Sequence, residues 1–129
     1  MTIDEYIDAV KDRLLSDGIV VSFRVIRERA TLIDGHLRVR VDLAGGDRLD
    51  FSEYVRRTPS DEIIVATYSY HWTDADQRPI RRWDNAFHHP SLPNFPYHVH
   101  IGVDEAVQSS ESVDIFVVLD TIRESIGAL

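Results

Sequence analysis

Apolar residues recur at helical spacing at both ends of the chain. Thr2 and Glu5 form a capping box, which places the start of the first helix, and Gly18 ends it. The apolar positions inside this helix lie three or four residues apart: Ile3, Tyr6, Ile7, Val10 and Leu14. A second helix is predicted from Ser110 to Ile126 because one stripe of it is apolar: Ile115, Leu119, Ile122 and Ile126.

Between these helices the apolar positions alternate with polar ones, which is the pattern of strands with one wet face. Apolar residues occupy Val21, Phe23 and Val25, and the same period returns at 37–43 and 48–52. A longer aromatic strand follows at 63–72, in which we assign three residues to the core rather than to base stacking: Tyr68, Tyr70 and Trp72. Short turns at Asp34-Gly35 and Gly45-Gly46 join neighbouring strands.

These elements predict an α+β fold in a single domain, residues 1–129. Short connections favour an antiparallel β-meander of about five to six strands. The N- and C-terminal helices would cover one face of this sheet. Exposed edges of the meander would make a homodimer reasonable.

Composition limits the cellular compartment, the metal ligands and the binding partners that can be expected for this chain. The chain of 129 residues has no cysteine, which excludes disulfides and thiolate metal ligands. A charged N-terminus and the lack of an apolar run of about 20 residues predict a cytosolic protein without a membrane span. The formal charge of −8 argues against nucleic-acid binding over the whole surface, yet all basic residues except Lys11 are arginine, which suits phosphate.

Histidines are concentrated in one segment, since residues 70–102 contain five of the six. His98 and His100 flank Val99 in a predicted strand, Tyr97 to Val103, so their imidazoles project from the same face. Two such imidazoles could share a metal ion, or act as an acid and a base near neutral pH. The alternative is a polar strand face without a function.

Polar residues before this strand extend the candidate site. A carboxylate at Asp84, followed by Asn85, could orient an imidazole or complete a metal site, whereas an Asx turn is the alternative. By strand parity Arg82 shares a face with Asp84, so Arg82 is a better phosphate ligand than Arg81. A surface ion pair is its alternative role. His88 completes the substrate-binding candidates, although adjacent His89 cannot face the same point unless the loop bends.

Several familiar signatures are missing from the sequence. It contains no phosphate-binding P-loop, no dinucleotide-binding glycine motif, no nucleophile elbow and no zincin helix. Acid–base or metal-assisted chemistry on a polar substrate remains, as does a function without catalysis.

The segment from Arg81 to Gly102 resembles the TumE family, toxins of type II toxin–antitoxin modules. It reads R-R-W-D-N-A-F-H-H-P-x-L-P-x-F-P-x-H-V-H-I-G. The specific part is an aromatic residue before Asp84-Asn85, followed after a loop by His98-x-His100-Ile101-Gly102. The resemblance implies a cytosolic toxin that is neutralised by a helix-turn-helix antitoxin and that acts on RNA. The residues that match the family motif are the catalytic candidates: Asp84, Asn85, His98 and His100.

The first hypothesis is therefore a toxin that cleaves or modifies RNA. Arg82 would hold phosphate, His98 and His100 would exchange protons, and Asp84 would orient one of them. No cofactor is required in this mechanism. A variant of it binds a divalent metal through His98, His100 and Asp84.

Two other hypotheses remain open. A non-catalytic domain would bind a partner protein through the loop at 87–97, with these side chains as anchors: Phe87, Leu92, Phe95 and Tyr97. A small metal-binding domain would lose zinc or nickel at low pH.

Overall fold

The computed structural model contains two helices and a seven-stranded sheet, and it describes residues 1–87, 89–104 and 106–127. The elements in chain order are α1 (Ile3–Ser16), β1 (Val20–Ala30), β2 (Asp34–Leu43), β3 (Arg48–Arg57), β4 (Ile63–Thr73), β5 (Pro79–Asp84), β6 (His98–Ile101), β7 (Ala106–Ser109) and α2 (Ile115–Gly127). Neither of these helices has the length and apolar content needed to cross a bilayer.

The sheet is an antiparallel meander in which each strand pairs with its neighbours in sequence, in the order β1 to β7. The α+β class and the meander are therefore confirmed, but the predicted count of five to six strands was too low. The additional strand, β7, has four residues and is largely exposed, so it carries no alternating pattern that sequence analysis could detect.

The first helix begins as the sequence predicts. The Thr2 hydroxyl accepts from the Glu5 N–H at 3.1 Å, and the Glu5 carboxylate accepts from the Thr2 N–H at 3.0 Å. The second helix begins later than predicted, at Ile115 instead of Ser110. The carboxylate of Asp114 accepts from the Val117 N–H at 3.0 Å and so caps the helix at that point.

Two details of the strands differ from the sequence pattern. Val21 is 71% exposed because a β-bulge between Val20 and Ser22 shifts it out of the alternation. Asp34 and Gly35 were predicted as a turn, but both lie in β2; the turn precedes them, and the Asp34 carbonyl closes it by accepting from the Thr31 N–H. The turn at Gly45 and Gly46 is confirmed, and both residues have positive φ.

Both helices pack on one face of the sheet and bury a continuous core. The predicted core residues Tyr68, Tyr70 and Trp72 are buried in it, at no more than 4% exposure. A carboxylate, Glu53, lies fully buried between α1 and α2, where it meets the N-terminal end of α2.

The opposite face of the sheet, here called the open face, carries the polar positions of the strands. Directly paired residues of antiparallel strands project to the same side, so the register assigns its members. Its charged members are Arg24, Arg27, Arg29, Asp34, Arg38, Arg40, Asp42, Arg48, Asp50, Arg56, Arg82 and Asp84. Its histidines on the described strands are His36, His71, His98 and His100.

Candidate functional site

Pairing of β5 with β6 brings four of the sequence candidates together. In the register, Arg82 is opposite His100 and Asp84 is opposite His98. Strand alternation alone places Arg82 with Asp84 and His98 with His100, but only the register puts the two pairs face to face. These four side chains form a compact cluster, referred to below as the His–Asp–Arg cluster.

His98 is held in a position where both ring nitrogens face hydrogen-bond acceptors. Nδ1 donates to the carbonyl oxygen of Pro96 at 2.9 Å, and Nε2 lies 2.8 Å from Oδ1 of Asp84. Oδ1 lies off the Nε2–H direction, so this contact is an ion pair by distance without an aligned hydrogen bond.

His100 has the opposite hydrogen-bonding role. A guanidinium has only donors, so Nη2 of Arg82, at 3.1 Å, requires Nε2 of His100 to accept. Oδ2 of Asp84 lies 3.7 Å from the same nitrogen and 3.6 Å from Nε of Arg82. The two imidazoles therefore differ in their surroundings at Nε2: that of His98 lies beside a carboxylate oxygen, and that of His100 accepts from a guanidinium.

Burial differs strongly within the cluster. The side chain of His98 is 2% exposed, that of Asp84 15% and that of Arg82 34%. Solvent therefore reaches the cluster beside Arg82, and the carboxylate that interacts with both imidazoles lies deeper. Ion pairs at this depth are less screened by salt than surface pairs.

A third imidazole, His89, joins the cluster from the loop between β5 and β6. Its ring meets those of His98 and His100 edge to face, with centroids 4.9 Å and 5.8 Å apart. One nitrogen from each of the three rings lies within 4.8 Å of the others, so the three could ligate a metal ion. Sequence reasoning favoured the adjacent His88, which lies outside the described residues. Only the bend of the loop, which spacing does not show, brings His89 to this point.

Comparison with known proteins agrees with the resemblance seen in the sequence. The profile of the family described as "Toxin TumE" matches residues 8–128, nearly the whole chain. The chain belongs to the TumE family. Searches of curated proteins and of solved structures returned no match. Membership gives this protein a toxin role, and a toxin family implies an antitoxin partner.

Asn85, although next to the cluster in sequence, serves the sheet of this TumE-family toxin. Its side chain accepts from the Tyr68 N–H at 3.0 Å and donates to the Ala66 carbonyl at 2.9 Å. Ala66 is the extra residue where β4 bulges against β3. Asn85 thus continues the pairing of β5 with β4 beyond the last paired residues. Arg81 is opposite Trp72 and Ile101, and parity sets it on the other face from Arg82.

The loop of the TumE-family toxin also presents aromatic side chains to solvent. Phe87 is 76% exposed and Phe95 is 39% exposed, and their ring centroids are 5.5 Å apart. Tyr97 differs, because it stacks on buried Tyr68 with centroids 6.4 Å apart. Of the loop anchors predicted from sequence, the two phenylalanines are therefore the ones available to a partner, while Leu92 is half-buried.

Proposed function

We propose that this TumE-family toxin cleaves RNA at phosphodiester bonds by acid–base catalysis in the His–Asp–Arg cluster. The observation that supports this most directly is the asymmetry of the imidazole pair. Both ring nitrogens of His98 lie near acceptor oxygens, which suits the role of the acid, whereas Nε2 of His100 accepts from a guanidinium, which suits the role of the base. Both face one carboxylate, that of Asp84.

The reaction is a transesterification within the RNA. His100 Nε2 removes the proton from a ribose 2′-hydroxyl, and the 2′-oxygen attacks the adjacent phosphorus. The bond from phosphorus to the 5′-oxygen breaks, and His98 gives its Nε2 proton to that oxygen. The products are a 2′,3′-cyclic phosphate and a 5′-hydroxyl end, and the protons balance because one is taken and one is given.

The remaining members of the cluster stabilise charge. Arg82 is the most exposed member and offers a planar fork of donors to the phosphate oxygens as negative charge builds up. Asp84 orients the His98 ring and faces the nitrogen that would deliver the proton. Because the loop that carries His89 covers one side of the cluster, the mechanism requires this loop to withdraw from His98 when RNA binds.

A second candidate is metal-assisted cleavage, which the placement of three imidazoles within ligand distance favours. The Nδ1–H of His98 is bound to a carbonyl, which is the arrangement that directs Nε2 toward a metal. Against it, the Arg82 guanidinium already neutralises Asp84 and occupies Nε2 of His100. We therefore favour the metal-free reaction.

The antitoxin partner is proposed to be a helix-turn-helix protein that acts with the toxin in the cytosol. The exposed pair of Phe87 and Phe95 beside the cluster gives it an apolar anchor from which it would block access to the site. Self-association through an edge strand of the sheet would give a homodimer.

The test uses the purified full chain and a labelled single-stranded RNA, with EDTA present. We expect fragments that end in a 2′,3′-cyclic phosphate, and we expect His98→Ala and His100→Ala each to lower kcat/KM by about 10²–10⁴-fold. Growth arrest on induced expression should be lost in parallel. Ser109→Ala is the control, since Ser109 is opposite His98 on β7 but is exposed and outside the cluster.

Undiminished growth arrest in the double variant His98→Ala, His100→Ala would overturn the assignment. Cleavage that EDTA abolishes and that added Mn²⁺ or Zn²⁺ restores would instead establish the metal-assisted reaction. An RNA with a 2′-deoxy sugar at the cleaved position should resist the toxin, because the attacking oxygen is then missing.

A further inference from the structure

The His–Asp–Arg cluster is the end of a longer arrangement on the open face. Strand pairing aligns residues into rows that run across the sheet, perpendicular to the strands. One row, from β1 to β6, contains Arg24, Arg40, Asp50, His71, Arg82 and His100. The next row contains Arg27, Arg38, Ser52, Ser69, Asp84 and His98. Both rows connect an arginine-rich end of the sheet with the cluster.

The charge of this face is opposite to that of the molecule. Arginines on the open face outnumber its carboxylates two to one among the described strand positions. The whole chain nevertheless has a formal charge of −8, so its acidic residues lie mainly elsewhere. Such segregation creates a local positive field that a polyanion would sense at short range.

The arginines at the centre of the rows are only partly neutralised. Asp50 is shared by Arg38 and Arg40, whose guanidinium nitrogens lie 3.4 Å and 3.5 Å from the same Oδ2. Both arginine side chains remain exposed, at 46% and 37%. One carboxylate thus serves two guanidinium groups, and each keeps donors for an incoming phosphate.

Two depressions in the open face follow the rows. One has a volume of about 600 Å³ and is lined by residues that include Arg38, His36 and His71. The other, of about 450 Å³, is lined by residues that include Arg40 and Arg48. Asp50 and His71 line both, so the depressions adjoin, and His71 is paired with Arg82 of the cluster.

Two histidines that line these depressions each have a ring nitrogen without a hydrogen bond to the described residues. No described residue supplies a hydrogen-bond partner for the buried atoms Nδ1 of His36 and Nε2 of His71. The pKa of His36 is lowered by its burial and by the nearby arginines Arg27, Arg29 and Arg38. These buried nitrogens lie beneath the depressions and make no hydrogen bond within the described part of the chain.

We propose that single-stranded RNA lies across the open face along these rows, from Arg24 and Arg27 on β1 to the cluster on β5 and β6. This inference rests on the proposed function, because it assigns the path by which the RNA reaches the cluster. The rows cross five interstrand spacings of about 4.8 Å, which gives about 24 Å. At the stacked rise of about 3.4 Å per nucleotide, this length holds about seven nucleotides.

The open face suits RNA better than an acidic protein. A protein interface needs apolar anchors at its centre, whereas the rows between the arginine end and the cluster consist of charged residues, serines and histidines. Leu15, at 75% exposure, and Leu32, at 86%, are not members of these rows, and the exposed Phe87 and Phe95 belong to the loop beyond the cluster end. The exposed arginine forks of Arg38 and Arg40 match phosphate oxygens.

The test measures binding without cleavage. A fluorescent 12-nucleotide RNA with 2′-O-methyl groups cannot be cut through its 2′-oxygens, and its anisotropy gives Kd for the full chain at several salt concentrations. We expect Arg40→Gln to weaken binding about tenfold and to reduce the slope of log Kd against log salt by about 0.7. Lys11→Gln removes the same charge from α1, where Lys11 pairs with Glu28, and should change neither quantity.

Equal losses in the Arg40→Gln and Lys11→Gln variants, or none in either, would overturn the path. Displacement of the RNA by polyglutamate at equal charge concentration would also overturn it, in favour of an acidic protein ligand. These results are separable from the chemistry. Binding that depends on Arg40 together with uncut natural RNA would refute the proposed reaction alone. Loss of cleavage in His98→Ala with RNA affinity independent of Arg40 would refute the path alone.

Discussion

Glu53 is the group whose replacement tests the packing of the fold most directly. Its carboxylate accepts from the hydroxyl of Tyr6 at 2.5 Å, from the hydroxyl of Tyr70 at 2.6 Å and from the Ile115 N–H at 3.0 Å. It lies fully buried under both helices. One side chain therefore joins α1, β4 and the start of α2.

Glu53→Leu keeps most of the volume but leaves these donors without an acceptor. An unsatisfied buried donor costs about 1–3 kcal/mol, and the hydroxyl of half-buried Tyr6 can regain water. We expect a loss of about 3–5 kcal/mol, a large part of the stability of a domain of this size. At about 4 °C per kcal/mol, Tm should fall by about 12–20 °C.

Glu53→Gln separates the charge from the hydrogen bonds. Burial is the largest influence on Glu53 and raises its pKa, although the bonds from Tyr6 and Tyr70 act the other way. A raised pKa means that the folded chain keeps a proton which the unfolded chain releases above its ordinary pKa of 4.5. The unfolding free energy of the wild type therefore falls as the pH rises from 4.5 through the raised value. The amide variant is free of this loss.

The assay is urea denaturation followed by tryptophan fluorescence, which reports on buried Trp72 and Trp83. The difference in unfolding free energy between Glu53→Gln and the wild type should grow in favour of the variant as the pH rises above 4.5. Its slope is at most about 1.4 kcal/mol per pH unit. Glu62→Gln makes the same chemical change at an exposed position and should show no such trend. A difference that stays constant with pH, or that moves toward the wild type, refutes the reasoning.

Two further predictions concern the sheet. Asn85→Ala removes the side chain that accepts from the Tyr68 N–H. In urea denaturation it should lower the unfolding free energy by about 2 kcal/mol, and it should leave kcat of RNA cleavage unchanged. Normal stability with lost cleavage would instead make Asn85 catalytic. Gly35→Ala should cost about 1–3 kcal/mol, because its new Cβ would lie 2.7 Å from Ile3 Cγ2; an unchanged Tm would contradict this close contact.

Much of the candidate site could be predicted because strands alternate strictly. The parity of β5 and β6 places Arg82 with Asp84 and His98 with His100. The register between the two strands depends on hydrogen bonds with the neighbouring strands of the sheet, which local spacing does not encode. The position of His89 could not be predicted from the sequence, because it depends on how the loop folds back over His98 of β6.

Three other features were not predicted from the sequence, because tertiary contacts override the local pattern of residues at these positions. Glu53 points to the same face of β3 as Leu49 and Phe51, so the alternation of the strand places it in the core. Sequence analysis instead ended the strand before it, because acidic residues are rarely buried. The bulge at Val21 inverts one position without a sequence signal. The helix α2 begins where Asp114 caps it. Sequence analysis followed the apolar stripe and placed the start of the helix too early, at Ser110.

The loop between β5 and β6 joins the two strands that carry the cluster, but it does not set the pairing between them. Arg82, Asp84, His98 and His100 are fixed by pairing between strands, and each strand is hydrogen-bonded on both sides within the meander. Insertions between 86 and 96 would therefore leave the reacting groups in register, at a closure cost that rises only slowly with length. An insertion in this loop would therefore change the surface proposed for the antitoxin without displacing the four strand residues of the cluster.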